Sequence, residues 1–89
     1  MLSYMEFCDC FERQANYYLY KLKNASTIQE VRDYYNKYKG ISDAYFTIFT
    51  NSESSALQQE DFNRLRRSWT DDIKNFIFEN FGITLWINI

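Results

Sequence analysis

The chain has no proline, no histidine, two glycines and two cysteines in 89 residues. Without histidine there is no Ser-His-Asp or Cys-His machinery for nucleophilic catalysis. With two glycines, Gly40 and Gly82, both read as helix ends, no glycine-rich loop is available to cradle phosphates. Cys8 and Cys10 are separated by one residue. On a helix, residues two apart diverge by about 200°, so their sulfurs cannot bridge. A tetrahedral zinc site would need carboxylates or a second chain. Cys8 is therefore read as a core thiol and Cys10 as a free surface one, and no metal or cofactor is expected. The acid pairs Glu60-Asp61 and Asp71-Asp72 splay apart by about 100° on a helix and are read as partners of helix dipoles rather than as a catalytic dyad. Enzymatic activity is not expected.

Long apolar runs are also missing. No stretch approaches the roughly 18 residues of a membrane span, and Met1 to Glu6 lacks the basic flank and apolar run of a secretory leader. The expectation is a soluble cytoplasmic protein with no membrane partner. Ten Lys and Arg stand against twelve Asp and Glu, a formal net charge of -2 with a pI near 5.0. Such a balance does not draw in phosphate backbones, so direct nucleic-acid binding is not expected.

What is present is aromatic. Eight Phe, eight Tyr and two Trp occur in a chain that is 46% hydrophobic, the opposite of a disordered composition. Large rings are one way to build a core in a domain of this size, whose whole stability is about 5 to 13 kcal/mol. Asn, Ile, Lys, Phe and Tyr together contribute 37 residues, against 11 from Gly, Ala, Pro and Arg. AT-rich coding gives such a bias, and with the small size it points to a phage or other mobile element.

Tyr4, Cys8, Phe11, Ala15, Tyr18, Leu22 and Ala25 recur at alternating fours and threes, which predicts a helix over about 3–24. Thr27-Ile28-Gln29-Glu30 reads as a capping box opening a second helix over 27–39, with Ile28, Val31, Tyr35 and Tyr38 inward and Gly40 as its stop. Residues 43–50 read as a short third helix bearing Tyr45, Ile48 and Phe49. Their strand-favouring composition leaves a strand as the alternative. After the polar run 51–55, a capping pattern at Ser55 opens a helix over 55–81 with Phe62, Leu65, Trp69, Ile73 and Phe76 inward, ended by Gly82 and open to a restart near Ser68 or Thr70. Ile83, Leu85, Ile87 and Ile89 alternate as in a strand, so 83–89 is expected to be extended. It would pair with residues 44–50 in a minimal two-stranded sheet, pair with a second copy to make a homodimer, or lie over the helices. The fold class is thus mainly α: a single small three- or four-helix domain with an extended or β C-terminal segment.

Some rings do not fit this core. At 100° per residue, Tyr17 and Tyr20 lie about 150° from the centre of the first stripe, and Phe78 lies about 160° from the line of the last helix, on the side carrying Arg64, Arg67 and Asp71. Tyr34 flanks the inner face of helix 2, and Trp86 points away from Leu85 and Ile87 in an extended tail. Tyr, Trp and Arg are enriched at interface hot spots because they combine large contact area with polar tips. Tyr17, Tyr20, Tyr34, Arg64, Arg67, Phe78 and Trp86 are therefore the candidate partner-binding residues. The function they imply is that of a small acidic protein-protein interaction module that inhibits or redirects a host protein by occlusion, with an anti-defence or anti-CRISPR inhibitor as one form; if phage-encoded, it would act in the host cell's cytoplasm. The alternatives are a DNA-binding regulator with a degenerate helix-turn-helix, turning at Gly40-Ile41, and a self-assembling structural subunit.

Overall fold

The structure is a computed structural model, and it describes residues 3–52 and 55–82. Three helices account for nearly all of them: α1 (Tyr4–Lys23), α2 (Ile28–Thr50) and α3 (Ala56–Phe81). The helical class read from the sequence holds. The extended reading of 83–89 lies outside the described residues.

Each helix starts at a hydroxyl cap. Ser3 Oγ accepts from the Glu6 N–H at 3.1 Å while Glu6 Oε1 accepts from the Ser3 N–H at 3.2 Å, a reciprocal capping box. At α2 the Thr27 hydroxyl oxygen accepts from the Glu30 N–H at 3.1 Å. The Glu30 carboxylate, however, takes the Ser26 and Thr27 hydroxyls rather than a backbone donor. Ser55 caps α3 through the Gln58 N–H at 3.1 Å. Gly82 ends α3 in the left-handed region at φ 66°, its N–H returning to the Phe78 carbonyl at 2.9 Å.

Two expectations about the middle of the chain are corrected. Helix 2 does not stop at Gly40, and residues 43–50 are neither a separate helix nor a strand; a single helix runs through to Thr50. The two-stranded sheet with 44–50 is excluded with it. The reason is the buried stripe: Val31, Tyr35, Tyr38, Ser42 and Phe49 are all buried, with Tyr45 packed beside them, and that spacing of fours and threes crosses Gly40 without a break. Gly40 itself lies on the outer side, with nothing within 4 Å of where a Cβ would stand. Packing of the stripe outweighs both the glycine and the strand propensity of residues 45–50. Helix α3 likewise shows no restart at Ser68 or Thr70.

Short connections make α2 antiparallel to α1 and α3. At the α2–α3 end the core is a ring cluster in which Phe62 sits 5.1 Å from Phe7, 5.4 Å from Phe11 and 5.2 Å from Phe49. Midway, the Tyr38 and Thr70 hydroxyls are 3.0 Å apart, joining α2 to α3. Toward the α1–α2 turn, Leu22, Val31, Ile73 and Ile77 are fully buried. Tyr18, Leu65, Trp69 and Phe76 pack against this core rather than within it, as does Phe7; Ile77 joins it unforeseen, and Ile28 and Ile48 face solvent.

Candidate interaction surface

The stripe on α1 turns Tyr4, Cys8, Phe11 and Leu22 inward, and so turns the residues between them outward. Tyr17 is 50% exposed and Tyr20 62% exposed on α1, and Phe78 is 55% exposed on α3. Tyr34 is half-buried, Arg64 and Arg67 are exposed, and Trp86 lies outside the described residues.

These residues do not form one surface. Phe7 and Phe11 meet Tyr45, with ring centroids 5.3 and 5.7 Å apart, and both also reach Phe62 of α3; Phe7 further stacks on Phe49, so α2 lies toward the Phe7 edge of the α1 stripe. Tyr4, whose ring meets Phe49 of α2 at 5.5 Å, donates its hydroxyl to the Asp61 carboxylate of α3, and Asp61 also acts on Cys8, so α3 lies toward the Cys8 edge of the stripe. Tyr17 lies just beyond the α2-facing side of α1. On α2, Ser42 and Asp43 reach Arg66 of α3 while Tyr45 faces α1, and Tyr34 continues on the Tyr45 side. Tyr17 and Tyr34 therefore flank the same α1–α2 seam, about level along it, because the antiparallel ring pairs Phe11–Tyr38, Phe7–Tyr45 and Tyr4–Phe49 carry residue 17 opposite roughly residues 32 to 36. Tyr20 lies one step further round α1. Phe78, Arg64, Arg67 and Asp71 occupy the outward face of α3, away from both other helices.

The seam holds residues that sequence reasoning missed. Tyr18, which packs against the core, meets the exposed Tyr17 ring at 5.1 Å in a T-shaped contact. Lys21 Nζ lies 5.5 Å from the Tyr17 ring centroid and Lys37 Nζ 5.9 Å from that of Tyr34, two cation–π couples on neighbouring helices. The signal was legible as Tyr-Lys pairs at i, i+4 and i, i+3, although only the tertiary pairing sets them side by side. Met5, Ile48 and Leu57, exposed at the α2–α3 end, were also missed as surface residues.

The basic run Arg64 to Arg67 divides. Arg66 is turned inward and bound to α2, so only Arg64 and Arg67 remain at the surface. The helix-turn-helix reading needed a turn at Gly40-Ile41, where α2 is unbroken.

Both cysteines are free thiols. Burial pushes the Cys8 thiol up, against an opposing hydrogen bond with Tyr4, which disfavours the nucleophilic thiolate. Cys10 Sγ accepts from Arg13 Nη2 at 3.2 Å beside an open concavity lined from α1 alone by Glu6, Asp9, Glu12 and Asn16. Among the described residues no group of three or more Cys, Asp or Glu side chains could hold a metal ion. None of the described helices is long and apolar enough to cross a membrane. The chain matches no protein-family model, no curated protein and no solved structure.

Proposed function

We propose that this chain is a protein-protein interaction module that inhibits or redirects a host protein by covering part of its surface. The observation that carries this reading is the exposure of Tyr17 and Tyr20 on a helix whose opposite side supplies the core. Rings of this kind gain most from desolvation against a partner. Tyr34 extends that contact across the α1–α2 seam, and Arg64, Arg67 and Phe78 form a second, separate surface on α3. The compositional bias and small size favour a phage or other mobile element as the source, acting in the host cytoplasm, with an anti-defence or anti-CRISPR inhibitor as one form of this reading.

Affinity capture from host lysate tests the assignment, using wild type, Tyr17→Ala/Tyr20→Ala and Arg64→Ala/Phe78→Ala chains of matched helicity. The α1 pair is expected to lose the captured protein. Equal capture by all three would remove both surfaces.

A further inference from the structure

The charges of this acidic chain are unevenly placed. Residues 13–41, which make the α1–α2 hairpin tip, hold six cations (Arg13, Lys21, Lys23, Arg32, Lys37 and Lys39) against two acids, Glu30 and Asp33. The remainder holds four cations against ten acids. One end of the hairpin is thus net positive on a molecule that is net negative. The two acids inside it are engaged locally: Glu30 accepts from Ser26 and Thr27, and Asp33 accepts from Gln29 at 2.9 Å. Among the described residues neither Lys21 nor Lys37 is ion-paired; each rests over a tyrosine ring instead.

We propose that the seam formed by Tyr17, Tyr18 and Lys21 of α1 with Tyr34 and Lys37 of α2 seats an acidic segment of a partner protein. This rests on the interaction-module reading of the same face and assigns its partner's chemistry. Two ammonium groups flank a strip of tyrosine rings, so carboxylates would meet the lysines while aliphatic carbons cover the rings. An extended acidic peptide matches this narrow strip. A nucleic acid fits less well, because its uniform backbone charge would run past the hairpin tip toward the net-negative remainder of the domain, within reach of the screened field.

The test uses the isotope-labelled full chain, titrated at low salt with a peptide of alternating Glu and Leu and, separately, with oligothymidylate of equal length, reading backbone amide shifts. The peptide is expected to shift amides around residues 14–21 and 34–37, with affinity falling about tenfold as salt rises to physiological strength. Lys21→Glu/Lys37→Glu, and the milder Lys21→Gln/Lys37→Gln, should weaken it about tenfold or more, whereas Ser68→Glu/Asn75→Glu, which adds negative charge at exposed positions of α3, leaves the shifts in place. Absent shifts, shifts mapping elsewhere, equal loss in the α3 variant, or tighter binding of oligothymidylate would each overturn the proposal. Lysate capture separates the two readings: capture lost in Tyr17→Ala/Tyr20→Ala but unchanged in Lys21→Glu/Lys37→Glu keeps the module and removes the acidic partner.

Discussion

Arg66 of α3 holds Asp43 of α2 at 2.8 Å, and the same guanidinium donates to Ser42 Oγ at 3.0 Å and Asn63 Oδ1 at 3.1 Å while lying 4.5 Å from the Phe46 ring centroid. The side chains differ in exposure, 14% for Arg66 against 63% for Asp43. The ion pair is therefore screened and worth under about 1 kcal/mol, and more of the stabilisation lies in the bond to buried Ser42 and the stacking on Phe46. Arg66→Ala should cost about 2 kcal/mol and Asp43→Asn less than about 1 kcal/mol. Urea denaturation measures both, and equal losses would show that the carboxylate dominates.

Phe62 touches three other rings and is fully buried, whereas Phe78, on the same helix, is largely in water. Phe62→Ala should cost about 3 to 5 kcal/mol, a large share of what a domain of this length has, and Phe62→Leu less. Phe78→Ala should stay within about 0.5 kcal/mol of wild type. Thermal unfolding of the three variants checks this, and a destabilised Phe78→Ala would mean that its ring belongs to the fold rather than to a surface.

Tyr4, Tyr35 and Tyr38 are all pushed above the ordinary tyrosine range, chiefly by burial, against which Tyr38 is partly offset by its bonds to Thr70 and Ser42. The folded state holds these protons more tightly than the unfolded chain, whose tyrosines titrate near about 10. Below that pH both states are protonated and the stability is complete. Above it the unfolded chain releases protons that the fold retains, so stability falls by at most about 1.4 kcal/mol per pH unit for each tyrosine. Between about pH 8.5 and pH 10 denaturant midpoints should fall only through Cys8, whose thiol is also pushed up by burial, and beyond about pH 10 they should drop more steeply, with a shallower drop in Tyr38→Phe. Identical slopes for wild type and Tyr38→Phe would exclude this tyrosine as a source.

What the sequence reveals and what it hides follow from the range of the interactions. The α1 stripe from Tyr4 to Leu22, the caps Thr27 and Ser55, and the outward rings Tyr17, Tyr20 and Phe78 depend on neighbours within a turn or two, and all are legible. The separation of Tyr17 from Phe78 is not, since one helical wheel places a residue relative to its own helix and says nothing about which way that helix faces. Arg66 hides for the same reason: its partners Ser42 and Asp43 lie on another helix, and only the α2–α3 pairing takes it out of the basic run. The continuity of α2 is missed when local punctuation at Gly40 is weighed above the stripe that passes beneath it.

The two glycines put that continuity to an experiment. Gly40 is an interior, outward-facing helical position with open space where a methyl group would stand, so Gly40→Ala removes backbone freedom from the unfolded chain at no steric cost. It should stabilise the domain by about 0.5 to 1 kcal/mol, which for a chain of this length raises Tm by a few degrees. Gly82 also has space around it, but its φ of 66° strains any residue bearing a Cβ. Gly82→Ala should therefore cost about 1 kcal/mol or fray the last turn of α3, where the Gly82 N–H closes on the Phe78 carbonyl. Thermal unfolding of the two single variants gives opposite signs if α2 is continuous. A destabilised Gly40→Ala would instead restore a helix end at that position, and with it the helix-turn-helix reading of residues 28–50.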